Sequence, residues 1–341
     1  MIFCTLFDSY YLDKGLALYN SLLNVTNNFK LYIYAFDDVA YNVLSEKKLQ
    51  NVVALRKEDL ETSYPILNKL KEERSKAEYS WTCTPVAIEY VLKHFNEESC
   101  TYIDADLYFF SDPQILFNEI KSAGANVLVT PHRFTDSIKD RRLLNRSGKY
   151  CVEFNYFDNS ENSLEALSWW KEKCFEWCYH IYEKDRMGDQ KYIEKFPEMF
   201  EGVHELENLG GGVAPWNLAQ YEYTGNNLDN GMNAPVLREK ATGKEFPIVF
   251  YHFQSMRYIS EDLIIIRSET HSKKTKDIIY RPYLTELEKI RQQLKKQGIT
   301  FYVAQSYASN PIIKFVQKYI LRFKMKSLTD VYNLKKLRKT I

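Results

Sequence analysis

Asp104-Ala105-Asp106 lies between two apolar runs, Thr101-Tyr102-Ile103 and Leu107-Tyr108-Phe109-Phe110. Two carboxylates flanking one small residue are unfavourable in a core that holds no cation. Where a strand gives out they can ligate a hard divalent metal, directly or through water, and that metal would neutralise diphosphate oxygens. A lone Asp-x-Asp is also a common surface or capping pair, so a second signal is needed. Further candidates sit where other strand-like runs end: Asp8 after residues 2–7, Asp37-Asp38 after residues 31–36, and His252 at the end of the run that follows Pro247.

Those runs set the architecture. Residues 2–7 and 31–36 read as buried strands, 52–55 as a third, and the segments between carry helical spacing such as Leu16, Leu18, Leu22 and Leu23. This β-α-β-α alternation predicts an α/β fold with a mostly parallel central sheet, helices on both faces, and ligands outside the carboxyl ends of the strands. Residues 64–95 read as helical with an interruption near Thr84-Pro85, and 115–121 as a further helix. Residues 127–130 and 152–157 read as strands, with a mobile loop or short helix over 133–149. Residues 164–182 form an amphipathic helical pattern carrying Trp169, Trp170 and Trp177, and 248–252 reads as the final strand. Beyond residue 266 the chain turns helical and charged, which predicts a main domain over 1–265 and a basic helical extension over 266–341.

A formal net charge of +1 over 341 residues argues against nucleic acid as a partner. The six cysteines are scattered, without a CxxC pair for zinc, and fit the reduced thiols of a cytoplasmic protein. The opening Met1-Ile2-Phe3-Cys4-Thr5-Leu6-Phe7 lacks the basic flank and the length of an export signal. No stretch approaches the roughly 20 apolar residues of a membrane span.

The strand, the Asp-x-Asp and the apolar run resemble those of the GT-A glycosyltransferases. In particular they resemble the family-8-like nucleotide-diphospho-sugar transferases, whose motif reads aromatic-Ile/Leu-Asp-x-Asp. Other stretches fall in the order that the resemblance requires, over residues 1–260: Phe7-Asp8-Ser9-Tyr10-Tyr11, Tyr150-Cys151-Val152-Glu153-Phe154-Asn155, Gly188-Asp189-Gln190, Ala214-Pro215-Trp216-Asn217 and Tyr251-His252-Phe253. The resemblance implies a GT-A fold, with His252 as third metal ligand beside Asp104 and Asp106. An imidazole with two carboxylates suits Mn2+ better than an all-oxygen site would, with Mg2+ the alternative.

The same resemblance places Asp8 on uracil or ribose, with Tyr10 or Tyr11 against the base; capping the next helix is an equal reading of Asp8. It places Asp189 on sugar hydroxyls, or as a helix cap, and Gln190 near the anomeric carbon. Asn155 aligns with a sugar-contacting asparagine or is a turn residue, and Lys76 or Arg74 reaches the donor phosphates or is a solvated helix face. Similar enzymes continue from the histidine as His-x-x-Gly-x-x-Lys, but here Ser255 and Tyr258 stand at the glycine and lysine positions. Arg257, next to the lysine position, can replace the lost charge. Gly210-Gly211-Gly212 reads as a flexible turn and Trp216 as a sugar-stacking or core ring.

The activity implied is metal-dependent transfer of a sugar from a nucleotide-diphospho-sugar, a UDP-sugar by resemblance, to a saccharide or lipid-linked acceptor. Without a strong base beside Asp189-Gln190, retention is favoured; inversion needs one acceptor-side carboxylate, Glu153 or Asp158. The rivals are an inactive GT-A-fold module that binds sugar or a membrane surface, and an Asp-x-Asp phosphatase. Such phosphatases want Thr or Val where Tyr108 stands. In the tail, 312–341, Ile312, Phe315, Val316, Tyr319, Ile320 and Phe323 fall near one helical face amid lysines and arginines. That pattern suits peripheral contact with anionic lipid at the inner face of the membrane, or a solvated helix packed on the domain. Synthesis of a surface polysaccharide is the setting the resemblance suggests.

Overall fold

The computed structural model describes residues 1–229, 232–266, 273–301 and 330–339. The chain opens with β1 (Ile2–Phe7), α1 (Leu12–Val25), β2 (Lys30–Ala35), α2 (Asp38–Lys47) and β3 (Val52–Arg56). These strands pair in parallel, as crossover helices require. Alternation along β1 explains its unbroken apolar run: Phe3 and Phe7 enter the core on one face, Cys4 and Leu6 the core on the other. The first face is covered by α1 and α2, the second by α3 (Lys57–Ser63), α4 (Ile66–Glu73) and α5 (Lys76–His94). α5 runs unbroken through Pro85, where the sequence suggests an interruption. Most of its residues from Tyr79 to Leu92 are buried, and the Thr82 and Thr84 hydroxyls donate to carbonyls one turn back, so packing outweighs the missing N–H.

β4 (Ser99–Ile103) joins β1 in parallel, and β5 (Leu107–Phe109) leaves the sheet. There follow α6 (Gln114–Ala123), β6 (Val127–Pro131), α7 (Ile138–Ser147), β7 (Tyr150–Asp158), α8 (Glu161–Glu176), α9 (Phe196–Met199) and β8 (Val203–Glu205). The seven-stranded order is β3-β2-β1-β4-β7-β6-β8, with only β7 antiparallel to its neighbours. The expected mostly parallel sheet with helices on both faces is thus present. α7 fills the segment read as loop or short helix, started by the Ser137 side chain. α8 stops six residues short of the expected end at residue 182. There the buried Arg74 guanidinium takes the Cys174 and Phe175 carbonyls, each at 2.8 Å, and Trp177 turns extended.

β9 (Tyr221–Asp229), β10 (Met232–Glu239) and β11 (Glu245–Pro247) form a small antiparallel sheet. β12 (Phe250–His252) pairs with β5 and is not the final strand, because β13 (Arg257–Ser260), β14 (Leu263–Ile266) and β15 (Asp330–Asn333) make another small sheet. α10 (Lys273–Lys296) buries Tyr283, Leu284 and Leu287 in the same core as α1, and Arg291 Nη1 meets Asp13 Oδ2 of α1 at 2.7 Å. Residues 312–329, which carry the apolar stripe of the basic tail, lie outside the described residues. The tail's end is docked: β15 pairs with β14, and Leu334 and Leu337 are buried. Among the described residues no helix is long and apolar enough to cross a membrane.

Candidate active site

Asp104-Ala105-Asp106 makes the turn from β4 into β5. The Asp104 N–H donates to the Glu153 carbonyl and the Leu107 N–H to the Asp104 carbonyl, each at 3.1 Å. β5 then pairs with β12, setting His252 opposite Leu107, and the Phe253 N–H donates to the Asp106 carbonyl at 3.0 Å. His252 Nε2 consequently stands 3.1 Å from Asp106 Oδ1 and 3.5 Å from Asp104 Oδ2. One ligand atom from each of these residues lies within 4.8 Å of the others. His252 Nδ1 is 2.6 Å from Oε2 of Glu153, a fully buried carboxylate on β7. An acid behind the far ring nitrogen fixes the imidazole's orientation and raises its basicity, as at metal-bound histidines.

Burial pushes the Asp104 carboxyl up to about 8, opposed by His252 and reinforced by Asp106. At Asp106 burial is outweighed by His252 and then Lys14, which hold its carboxyl below the usual range. Burial works against a charge on His252, yet Asp106, Cys151 and Glu153 hold it well above the usual imidazole range. Two clustered acids that need a positive partner, with an imidazole braced from behind, fit a divalent cation.

Asp189 is buried between α8 and the turn Gln190–Lys195. Burial pushes the Asp189 carboxyl up to about 7, and its backbone carbonyl accepts Trp170 Nε1–H at 2.9 Å. It makes no side-chain cap to the turn Gln190–Lys195. Gln190 Nε2 donates to the Ser147 carbonyl at 2.5 Å. Asn155 is fully buried opposite Tyr102; its Oδ1 accepts the Thr130 N–H at 3.3 Å, and Nδ2 has no partner among the described residues. It therefore sits inside the β6–β7 ladder and not in an exposed turn. Asp8 Oδ1 accepts the Tyr10 N–H at 3.0 Å, and Asp8 makes no cap to α1, whose N-cap is Tyr11. Tyr10 and Tyr11 are exposed, with Lys76 Nζ 5.2 Å from the Tyr10 ring centre. Asp37, by contrast, is structural: it caps α2 through the Ala40 N–H and accepts both the N–H and the hydroxyl of Ser9.

No family model matches the chain. The uncharacterized proteins YfnD and YfnF of Bacillus subtilis (strain 168) are each 28% identical to it over 292 residues, covering 84% of this chain and 88% and 89% of their own. Among solved structures, an active-site mutant of LgtC superposes with a TM-score of 0.50 at 11% identity, over 86% of this chain and 96% of its own. The chain has the GT-A fold. A second LgtC structure, described as a galactosyltransferase with donor and acceptor sugar analogues, gives a TM-score of 0.49 at 10% identity, over 85% of this chain and 96% of its own.

Within this GT-A fold several expected residues take other places. Arg74 is committed to the end of α8, where its guanidinium donates to the Cys174 and Phe175 carbonyls. Glu153, fully buried, braces His252, and Asp158 accepts from Ser160 and Asn126 at the end of β7. Trp216 donates its indole N–H to the His132 carbonyl at 2.9 Å and packs edge-on to His252, which makes it a core ring. Gly212 has φ of 82°, and a Cβ there would lie 3.2 Å from Glu153 Oε1, so the glycine turn lets backbone approach the brace. Ser255 keeps a φ of 64°, so the turn expected of a glycine survives with a serine in it. Tyr258, at the lysine position, is buried; its hydroxyl donates to Glu288 at 3.0 Å and its ring centre lies 3.6 Å from the Arg291 guanidinium. Arg257 is exposed on β13. Lys14, in the first turn of α1, was not among the expected residues; its place just past Asp8, at the carboxyl end of β1, was the available signal.

Proposed function

We propose that the protein transfers a sugar from a nucleotide-diphospho-sugar, with UDP-sugar the expected donor, to a saccharide or lipid-linked acceptor. The observation that carries this reading is the meeting of Asp104, Asp106 and His252 at the carboxyl end of β4, with Glu153 behind the ring. These three would hold Mn2+ or Mg2+, which when bound stabilises charge on the departing nucleotide diphosphate. Asp8, Tyr10, Tyr11 and Lys76 form the nucleotide side: a carboxylate for base or ribose, exposed rings for the base face, and an ammonium beside them. Asp189 accepts hydrogen bonds from the sugar, with Asn155 on the neighbouring strand and Arg257 as further donor contacts. The Gln190 amide N–H is committed to Ser147, which leaves its carbonyl oxygen for the positive charge developing at the anomeric carbon.

With Glu153 and Asp158 both engaged elsewhere, neither carboxylate suggested for inverting attack is at hand, which supports retention. Six buried cysteines without disulfides support a reducing, cytoplasmic setting. Peripheral contact with anionic lipid through 312–341 rests on the sequence pattern of that segment alone. The test is a screen of nucleotide sugars for Mn2+-dependent binding and hydrolysis, with wild type and Asp106→Ala. Metal-dependent binding that the variant loses supports the proposal; a wild type that neither binds nor hydrolyses any of them defeats it.

A further inference from the structure

We infer that Lys14 holds the donor's diphosphate; the inference rests on the transferase reading above. Lys14 is only 8% exposed, with its Nζ 3.4 Å from the centre of the Tyr11 ring. A lysine buried to this degree ordinarily pairs with a carboxylate. Among the described residues none forms an ion pair with it. The adjacent acid is occupied: Asp13 Oδ2 accepts Arg291 Nη1 at 2.7 Å, and its Oδ1 accepts the backbone N–H of Lys14 at 2.9 Å. Asp13 is thus neutralised by Arg291 of α10 and not by the ammonium.

The ammonium is placed between the two halves of the site. Tyr11 stands beside the exposed Tyr10 on the nucleotide side, and α1, with Lys14 in its first turn, packs on β5, the strand that follows the paired acids. A nucleoside diphosphate that reaches from one half to the other carries its phosphate charge past Lys14. The alternative cations are worse placed. Tyr258 fills the lysine position with a ring held by Arg291 and Glu288. Arg257 is exposed on the face of β13 opposite the buried Tyr258, so it meets the donor from the solvent side, whereas Lys14 is buried.

Calorimetry with UDP, UMP and inorganic pyrophosphate, each with Mn2+, tests this on wild type, Lys14→Met, Lys14→Gln and Arg257→Ala. Loss of the ammonium should weaken UDP and pyrophosphate by roughly tenfold to a hundredfold and UMP much less, while Mn2+ alone is held no more weakly. Thermal melting checks that each variant folds, and Lys14→Gln decides the matter should Lys14→Met not fold. Variants at Lys14 that bind UDP as tightly as wild type overturn the inference and leave the transferase reading standing. A loss confined to Arg257→Ala also overturns it and returns the role to Arg257. A wild type that binds neither UDP nor pyrophosphate with Mn2+ defeats the transferase reading itself.

Discussion

His252 is gripped on both ring nitrogens, by Glu153 at 2.6 Å and by the acid pair, so the ring cannot turn without breaking a short buried contact. Glu153→Gln should therefore weaken Mn2+ binding roughly tenfold to a hundredfold, read from the free-ion resonance signal; unchanged affinity would show that the ring needs no brace. The charges of the metal-free site predict a pH dependence. Asp104, raised to about 8, is mostly protonated at neutral pH, and His252, raised well above its usual range, is charged. A cation must displace both protons, so Mn2+ affinity should climb from about pH 6 to about pH 8, by up to about tenfold per unit for each proton released. A flat titration over that interval counts against the three-ligand arrangement. Asp104 and Asp106 were legible in sequence because two charges inside an apolar run are an anomaly. Glu153 was not: a buried acid reads alike whether it serves an acceptor or an imidazole, and only the meeting of distant strands decides which.

α1 lies so close on β1 that a Cβ at Gly15 would fall 2.3 Å from the Phe7 ring. Gly15→Ala should therefore destabilise the protein by roughly 1–3 kcal/mol, seen as a lower thermal midpoint. An unchanged midpoint would mean that the helix can back away freely. The alternation from β1 to β3 was readable because strands buried on both faces leave continuous apolar runs between helical spacings. The small sheets β9–β11 and β13–β15 were not: β9 is largely polar, β10 carries a proline, and β14 meets β15 only across residues 267–329. The boundaries that failed have tertiary causes: a guanidinium from residue 74 ends α8, and dense packing carries α5 past its proline.

α10 is part of the molecule's main core, and its edge carries a chain of contacts: Arg291 to Asp13, Tyr258 to Glu288, and Arg338 to both Glu288 and Asp262. A chain ending at residue 265 would uncover the apolar side of α1, so it should aggregate or melt without a cooperative transition. A soluble fragment that melts sharply would instead show that the first 265 residues stand alone. The pairing of β12 with β5 has a consequence for biogenesis. The paired acids are made well before the imidazole, so a nascent chain would bring the three groups together only once β12 had been made. An ion that joins last behaves as a bolt on the finished assembly: it would slow opening and leave the pace of folding unaltered.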